Sequence, residues 1–466
     1  MSLIYPIVRQ SACPGLVRIV DAVDGGLCRI KLFGGQIDTR QMYAIANAAC
    51  IYGSSVIEVT NRANLQIRGI QNGKEIELTR ALISVGLGPF VECKGNNDID
   101  LTILSANDDI RNIMLNPFAG RDPNALLNTR ELAKKLFIML AHEPRCTELS
   151  PKFSIQLDGG ESIAVLNHPH DIWLSPRVRK DGVIRLACGI SGCPPVHKND
   201  FSALIDISPN KIADFVRALL LAFLDLASID MHRMFDLMKT HDMATLLAQA
   251  QSYLSFQFKQ DLSLNDWRRA PSDPSLRFGA HVEYYKDEYY RIGAQFSLSR
   301  INADRFVKLA SLIDTYGDQS LLITPWKGIF INGVASTNVR ALISQINELG
   351  LITSPSAPLA RFTACSGSSG CIKGRADTKH DALVLSKRAC YNKQHVHLSG
   401  CERHCALSYP ADITLIAISE KHYTLYWFNK NSRFSTLPFV YYLTIDQIVI
   451  ILNRMKGLVR NCVIDV

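Results

Sequence analysis

The 466-residue chain contains no run of about 18 uncharged apolar residues, the length a helix needs to cross a bilayer. The best candidate, 216–227, is broken by Arg217 and Asp225. Residues 1–18 lack the charged start, apolar stretch and small-residue cleavage site of a secretory signal. There is no low-complexity tract and no acidic or basic tail. A soluble, cytoplasmic protein with no membrane partner is therefore expected. No Gly-x-Gly-x-x-Gly turn follows a predicted strand, which argues against a dedicated nicotinamide-binding domain. No stripe of Lys and Arg interleaved with aromatics and no recognition-helix or RNA-binding motif occurs, which argues against a nucleic-acid partner.

What is present is an ordinary globular composition, 47% apolar and 20% charged, on a chain long enough for two to four domains. Lys and Arg number 51 against 43 Asp and Glu, a net charge of +8. A moderate, dispersed excess of this sign suits an anionic partner such as a polycarboxylate. Thirteen cysteines is an odd count. With no export signal, thiols, metal ligands or catalysis explain them better than disulfides.

The chain is internally repeated: 28–69 is similar to 290–333. Tyr316-Gly317 lies 264 positions after Tyr52-Gly53, and Thr324 lies 264 positions after Thr60. Each copy reads as strand, helix, strand. In the first, a strand over 27–32 precedes a helix starting near Asp38 or Thr39, with Met42, Ile45, Ala46 and Ala49 at helical spacing, and then a strand over 55–60. In the second, a helix from about Asn302 carries Phe306, Leu309, Ala310 and Ile313. A ligand bound between such halves would take one wall from each. Further helices are expected over 129–142, from Ser208-Pro209 to about 228, over 231–254, and at a capping-box signature beginning at Thr444. Residues 261–276 read as the connection between halves.

The strongest chemical signal is a set of four cysteines. Cys365 and Cys371 are separated by five residues, and Cys401 and Cys405 by three, with Gly367, Gly370 and Gly400 beside them. A cubane iron–sulfur cluster needs four thiolates converging from short loops with amides aimed at the sulfurs, and glycine permits the close backbone approach. Structural zinc is the rival, but its ligand pairs usually enclose two to four residues. A [4Fe-4S] cluster on Cys365, Cys371, Cys401 and Cys405 is expected. Cys390 and the Gly-flanked pair Cys188 and Cys193 are read as structural.

A five-residue pair followed by a three-residue pair, in the second half of a duplicated chain, resembles the sirohaem nitrite and sulfite reductase superfamily. The resemblance covers nearly the whole chain. Thr60-Asn61-Arg62 with Gln66 and Gly69 is similar to the family's Thr-x-Arg-x-x-x-Gln-x-x-Gly segment. Arg111-Asn112 followed by Pro117-Phe118-Ala119-Gly120 is similar to its Arg-Asn segment. Leu149-Ser150-Pro151-Lys152-Phe153-Ser154 is similar to its Leu-Pro-x-Lys-Phe-Lys segment. The resemblance implies that Arg62, Arg111 and Lys152 bind the carboxylates of a tetrapyrrole, since Arg can grip a carboxylate at two points. It also shows a departure: the second lysine of the last segment is Ser154 here. Cys13-Pro14-Gly15-Leu16, Leu157-Asp158-Gly159-Gly160, Asp171-Ile172, Thr324-Pro325-Trp326-Lys327 and His397-Leu398-Ser399-Gly400-Cys401 are instead similar to the precorrin-3B synthase branch. Glu402-Arg403-His404 departs from that branch.

The resemblance implies an α+β fold of duplicated reductase-like architecture. Two ferredoxin-like half-repeats (1–75 and 275–345) would alternate with two larger α/β units (76–260 and 346–466), the second carrying the cluster. It implies an oxidoreductase, an oxygen-dependent monooxygenase of cobalamin biosynthesis. That enzyme hydroxylates precorrin-3A at a meso carbon and closes a γ-lactone, with molecular oxygen and electrons from NADH or a reductase. A mononuclear non-haem iron is the further expected cofactor. Its ligands are unassigned, with His168 and His170, or His395 and His397, as conceivable donors. The alternative is a sirohaem-dependent sulfite or nitrite reductase.

Overall fold

The structure, a computed structural model, describes residues 13–89, 101–258, 261–283, 286–389, 394–407, 409, 411–428 and 440–461. Cys390 lies outside them. The repeat is built as two antiparallel sheets. The first runs Val20–Ala22, Gly25–Ile30, Leu65–Ile70, Val56–Val59, Arg300–Asn302. The second runs Gly279–Glu283, Lys286–Phe296, Gly328–Ala335, Ser320–Ile323, Gln36–Asp38, with Leu351–Ile352 beside Lys286–Phe296. Each half thus lends an edge strand to the other. Ile37 pairs with Leu321, and Ile301 pairs with Ile57. The exchange covers one edge of each sheet and locks the halves together.

The predicted helices stand at Thr39–Tyr52 and Ala303–Tyr316. Asp38 starts the first: its carboxylate accepts from Gln41 N at 2.7 Å, and the Gln41 amide oxygen accepts from Asp38 N at 3.2 Å, a closed capping box. The two helices pack on each other. Met42, Ile45, Phe306, Leu309 and Ile313, all fully buried, belong to one core common to both halves. Each such side chain removed from water contributes about 1.5–3 kcal/mol.

Each half leads into a larger unit, and the two units share one topology. In the first, the strand order is Ile113–Leu115, Ile155–Leu157, His170–Val178, Ile184–Gly192, Ile205–Ile207. In the second it is Phe362–Ala364, Val396–Ser399, Ile413–Ala417, Tyr423–Trp427, Val440–Leu443. In both, the first two pairings are parallel and the last two antiparallel. The helices Thr129–His142 and Ile212–Leu226 contribute Leu136, Phe215 and Phe223 to the first core. Thr378–Arg388 and Ile445–Asn461 serve the second.

The expected helix over 231–254 is two pieces, Met234–Leu237 and Met243–Ser252. Asp242 separates them. Its side chain accepts from Thr245 N at 2.8 Å, and an N-cap of this kind starts a new helix rather than prolonging an old one. Among the described residues no helix is long and apolar enough to cross a membrane.

Candidate functional site

The four cysteines meet because two adjacent strands are parallel. Thr363 pairs with His397 and Ala364 with Leu398, so Phe362–Ala364 and Val396–Ser399 end at the same edge of the sheet. Cys365 follows the first strand and Cys401 the second. Cys365 N donates to Leu398 O at 3.2 Å, which ties the two loops at their bases. Gly400 N donates to Cys365 Sγ at 3.1 Å, the amide-to-sulfur contact a cluster ligand requires. A Cβ on Gly400 would stand 3.5 Å from that sulfur. Gly367 has φ +66°, and a Cβ on Gly374 would meet the Gly367 carbonyl carbon at 2.4 Å, so the loop needs glycine at both.

Cys365, Cys371 and Cys401 are half-buried and Cys405 is exposed. The Cys405 thiol is nevertheless raised above its ordinary value, by removal of the sulfur from water and then by Cys401, Cys365 and Cys371. Each of the other three sulfurs is thus close enough to act on Cys405. Among the described residues no three His, Cys, Asp or Glu side chains converge on one ion. A cubane requires no such convergence, because each thiolate binds its own corner iron. These residues fit a [4Fe-4S] cluster and fit a single zinc poorly.

The equivalent strand ends of the first unit carry Asn116 and Asp158 instead. Asn116 donates to Ile163 O at 2.6 Å. Arg269 grips Asp158 at 2.7 and 3.0 Å, and Ser175 donates to it at 2.5 Å. An ion pair closes the loops where cysteines stand in the second unit.

A cavity of about 440 Å³ opens beside the cysteines, lined by Arg29, Gln66, Lys327, Cys365, Cys371 and Cys405 among others. A second, of about 390 Å³, is lined by His168, Arg277, Trp326, Lys327, Arg361 and His395. Asn61, Ser299, Lys327 and Ala406 border both, so the two are parts of one cleft between the halves. Its cations include Arg29, Lys327 and Arg277, beside Arg68 and Lys379, which are paired with carboxylates. With its amide oxygen turned toward Arg29, Gln66 accepts from that guanidinium at 2.9 and 3.1 Å. Arg277 lies over the Trp326 ring, 5.0 Å from its centroid, and its buried Nε has no hydrogen-bond partner among the described residues.

Lys327 is 9% exposed. Burial, and then the Lys379 ammonium, push it down to about 7 against the pull of Glu58 and Cys365. It sits in the left-handed region, φ +65°, as does Ala63 at +54°, its counterpart 264 positions earlier. Asn61 of the first turn and Lys327 of the second line the cleft. Clefts of this size, mostly apolar with a few convergent polar groups, are the usual form of a small-ligand site.

Of the residues expected to grip a tetrapyrrole, Arg62 lies nearest the cleft, between Asn61 and Ala63. Burial, and then the Arg233 and Arg29 guanidiniums, push it down to about 10. Arg111 is half-buried, 3.5 Å from Asp108, and donates to Lys31 O at 3.2 Å. Lys152 is exposed. None of Arg62, Arg111 and Lys152 lines the two cavities.

Sequence reasoning missed a buried ionic knot behind the cysteines. Glu58 receives Arg300 at 2.7 Å, Arg68 at 3.4 Å and Lys379 at 3.6 Å. Arg68 also pairs with Asp24 at 2.8 Å, donates to Gly370 O at 2.6 Å and reaches Ser366 Oγ at 3.3 Å. It therefore holds the loop between Cys365 and Cys371. The one available signal was an arginine immediately before Gly69, inside a segment quoted for its other residues.

The mononuclear iron finds no matching residues among those described. His168 Nδ1 and His170 Nε2 stand 3.2 Å apart, hydrogen-bonded to each other, and the Arg62 and Arg233 guanidiniums lie close enough to act on both rings. His395 Nε2 is hydrogen-bonded to Thr363 at 2.8 Å.

Comparison with known proteins agrees with this architecture. Residues 22–85 and 285–349 match the nitrite/sulfite reductase ferredoxin-like half domain, and 106–258 match the nitrite and sulphite reductase 4Fe-4S domain. The latter match ends before the four cysteines. A ferredoxin–nitrite reductase of Zea mays is 25% identical over 83% of this chain and 68% of its own length. For the Spinacia oleracea enzyme the identity is 24% and the share of its length 65%, so the chain spans about two thirds of these relatives. A precorrin-3B synthase of Sinorhizobium is 24% identical over 88% of this chain and 81% of its own length. The Mycobacterium tuberculosis NirA structure superposes with TM-score 0.74 at 17% identity, covering 93% of this chain and 80% of that one.

Proposed function

This chain belongs to the nitrite and sulphite reductase superfamily, and on that footing we propose that it is an oxygen-dependent monooxygenase that converts precorrin-3A to precorrin-3B. One oxygen atom enters the meso carbon and the other leaves as water, with two electrons from NADH or a partner reductase and two protons. The ring A acetate then closes the γ-lactone. The observation that carries the reading is Ser154. Where the sulfite-handling pattern has a second lysine, Ser154 N donates to Asp171 at 2.8 Å and its hydroxyl lies 3.1 Å from His170. Position 154 itself therefore offers no cation to a small oxyanion. The relative named precorrin-3B synthase supports the same reading.

Cys365, Cys371, Cys401 and Cys405 would hold the [4Fe-4S] cluster, which supplies single electrons when bound. The chain's own part is to bind and orient the tetrapyrrole. Lys327 and Arg277 would face its carboxylates in the cleft, with Trp326 as a flat apolar wall. Arg62, next to the lining residue Asn61, would reach them from the border, and Arg111 and Lys152 would stand farther out as secondary anchors. Arg62→Ala is expected to weaken tetrapyrrole binding by about 1.5–3 kcal/mol, roughly ten- to a hundred-fold in Kd. Fluorescence or absorbance titration checks this, and unchanged affinity removes Arg62 from the site.

The sirohaem reductase reading is favoured by the nitrite reductase relatives. Anaerobic loading with precorrin-3A, addition of oxygen and mass analysis separates the two. A product heavier by one oxygen atom supports the monooxygenase. An unchanged tetrapyrrole, with sirohaem absorption in the protein as purified, establishes the reductase instead.

A further inference from the structure

The strand His170–Val178 begins with a run of polar atoms that reaches the second cavity. His168 lines that cavity, and both His168 and His170 are buried. From the cavity inward, His168 Nδ1 is 3.2 Å from His170 Nε2. His170 Nδ1 is 3.1 Å from Ser154 Oγ, and Ser154 Oγ is 3.4 Å from Asp171 Oδ2. Two side-chain atoms of this run have no partner within it. One is Asp171 Oδ1, which accepts from Arg233 and Met234. The other is His168 Nε2, which has no side-chain partner among the described residues, the backbone of His168 and Pro169 lying beside the ring.

The run has a direction, fixed at its inner end. The Asp171 oxygens accept from Arg233 Nε at 2.9 and 2.8 Å, from Met234 N at 2.7 Å and from Ser154 N at 2.8 Å. Asp171 is a carboxylate paired with a guanidinium, and a carboxylate only accepts. The Ser154 hydroxyl therefore donates toward Asp171 and turns its lone pairs to His170. His170 must then carry its proton on Nδ1, which leaves its Nε2 bare. That bare nitrogen accepts from His168 Nδ1–H. The hydrogen bond at one imidazole nitrogen sets the state of the other.

We infer that His168 presents an unprotonated Nε2 to the cleft as a hydrogen-bond acceptor, its tautomer set from Asp171 through Ser154 and His170, and that it reads an N–H or O–H donor on the bound ligand. Of the other polar groups lining this cavity, Asn61, Gln295, Tyr409 and Asp412 can accept, while the cations Arg277, Arg361 and Lys327 are all donors. They recognise carboxylates and say nothing about where the ligand carries hydrogen. His168 adds that second kind of recognition. A ligand lacking the donor would leave a buried acceptor unpaired, which strongly disfavours it.

The charged groups facing the pair are Arg62, from the turn after Val56–Val59, and Arg233, from the segment before Met234–Leu237. Burial, and then these two guanidiniums, push the His168 imidazole down to about 3. His170 is lowered by burial, His168 and the same arginines. Neither ring becomes a donor by charging at neutral pH. Ser154 thus has a positive role: it transmits the polarity of Asp171 to the histidines, which a lysine at that position could not do. The tautomer claim is independent of which reaction the enzyme performs; only the ligand donor rests on the tetrapyrrole reading.

Histidine ring ¹⁵N spectra of the full chain test the tautomer. Signals assigned by His168→Gln and His170→Gln should show both rings neutral and protonated at Nδ1 between pH 5 and pH 8. Ser154→Ala should mix the tautomers at His170 and His168. An Nε2–H form or an imidazolium at His168 in the parent overturns the inference. So does a Ser154→Ala spectrum unchanged from the parent. Metal-free uroporphyrin, an anionic tetrapyrrole with pyrrole N–H groups, probes the ligand. His168→Leu should weaken its binding at least tenfold, and His168→Gln, which can accept through Oε1, should restore most of it. Equal binding by the parent and His168→Leu refutes the reading of a ligand donor. No binding by the parent counts against the tetrapyrrole reading itself and leaves the spectral result standing.

Discussion

Cys401→Ser is expected to abolish the low-temperature electron paramagnetic signal of the chemically reduced protein, together with its broad visible absorption. The expectation rests on how the ligand loops are built. Cys401 leaves the strand Val396–Ser399 immediately beside Cys365, and the two are joined by Leu398 O and Gly400 N. Removing one thiolate leaves one corner iron without a soft ligand, and serine oxygen suits this site poorly. The backbone geometry should survive, because Ser399 already donates to Cys401 O at 2.6 Å and that contact does not use the sulfur. Thermal unfolding of the variant should therefore stay cooperative while iron and acid-labile sulfide fall sharply. Cys188→Ser is the matched control. Cys188 is buried in the strand Ile184–Gly192 of the other unit, so its loss should leave the signal intact. A normal signal in Cys401→Ser would transfer the ligand role to another thiol.

The parts of this molecule that could be read from its sequence are those governed by short separations. The spacing of Cys365, Cys371, Cys401 and Cys405 is local chemistry. So is the periodicity of Met42, Ile45 and Ala49, which placed the helix Thr39–Tyr52, and its copy 264 positions later placed Ala303–Tyr316. The strands Gln36–Asp38 and Arg300–Asn302 could not be read in this way. Three residues carry no alternation, and their partners belong to the opposite half. Distance in sequence likewise hid the knot behind the cysteines: Glu58 and Arg300 are 242 positions apart. Each charge in it taken alone reads as a solvated surface residue, the better reading for a lone ionisable side chain.

The His168–Pro169–His170 segment shows the same limit in another form. Alternation on a strand points both rings to one face, which suggested a pair of metal donors. The structure sets the rings 4.8 Å apart, tilted by 42°, and joins one to Ser154. Identity and spacing located the residues, while their chemistry depended on Ser154, Arg62 and Arg233 arriving from three other places in the chain.

Glu58→Gln is expected to lower the stability of the folded protein by about 3–5 kcal/mol, the cost typical of removing one member of a buried ionic group. The substitution keeps the shape and removes the charge. It leaves the Arg68, Arg300 and Lys379 cations facing one another with no anion between them except Asp24, which contacts Arg68 alone. In the parent, burial pushes the Glu58 carboxyl up, but Lys379, Arg300 and Arg68 outweigh it and hold the group down to about 2. A carboxyl lowered on folding stabilises the fold at pH values above its ordinary 4.5, and that contribution is lost as the pH falls toward 2. At neutral pH it amounts to about 3 kcal/mol, in keeping with the mutational figure. Urea unfolding at pH 7 measures the first effect. Repeating it down to pH 3 measures the second, because the parent should lose most of its advantage over Glu58→Gln across that interval. The consequence for the cluster follows through Arg68, which grips Gly370 O and Ser366. Freed from Glu58, that side chain should hold the loop less firmly, so Glu58→Gln should also release iron faster to a chelator. A variant as stable as the parent at pH 7, with a difference that does not narrow in acid, would show that the three cations are compensated from elsewhere and that Glu58 does not organise the knot.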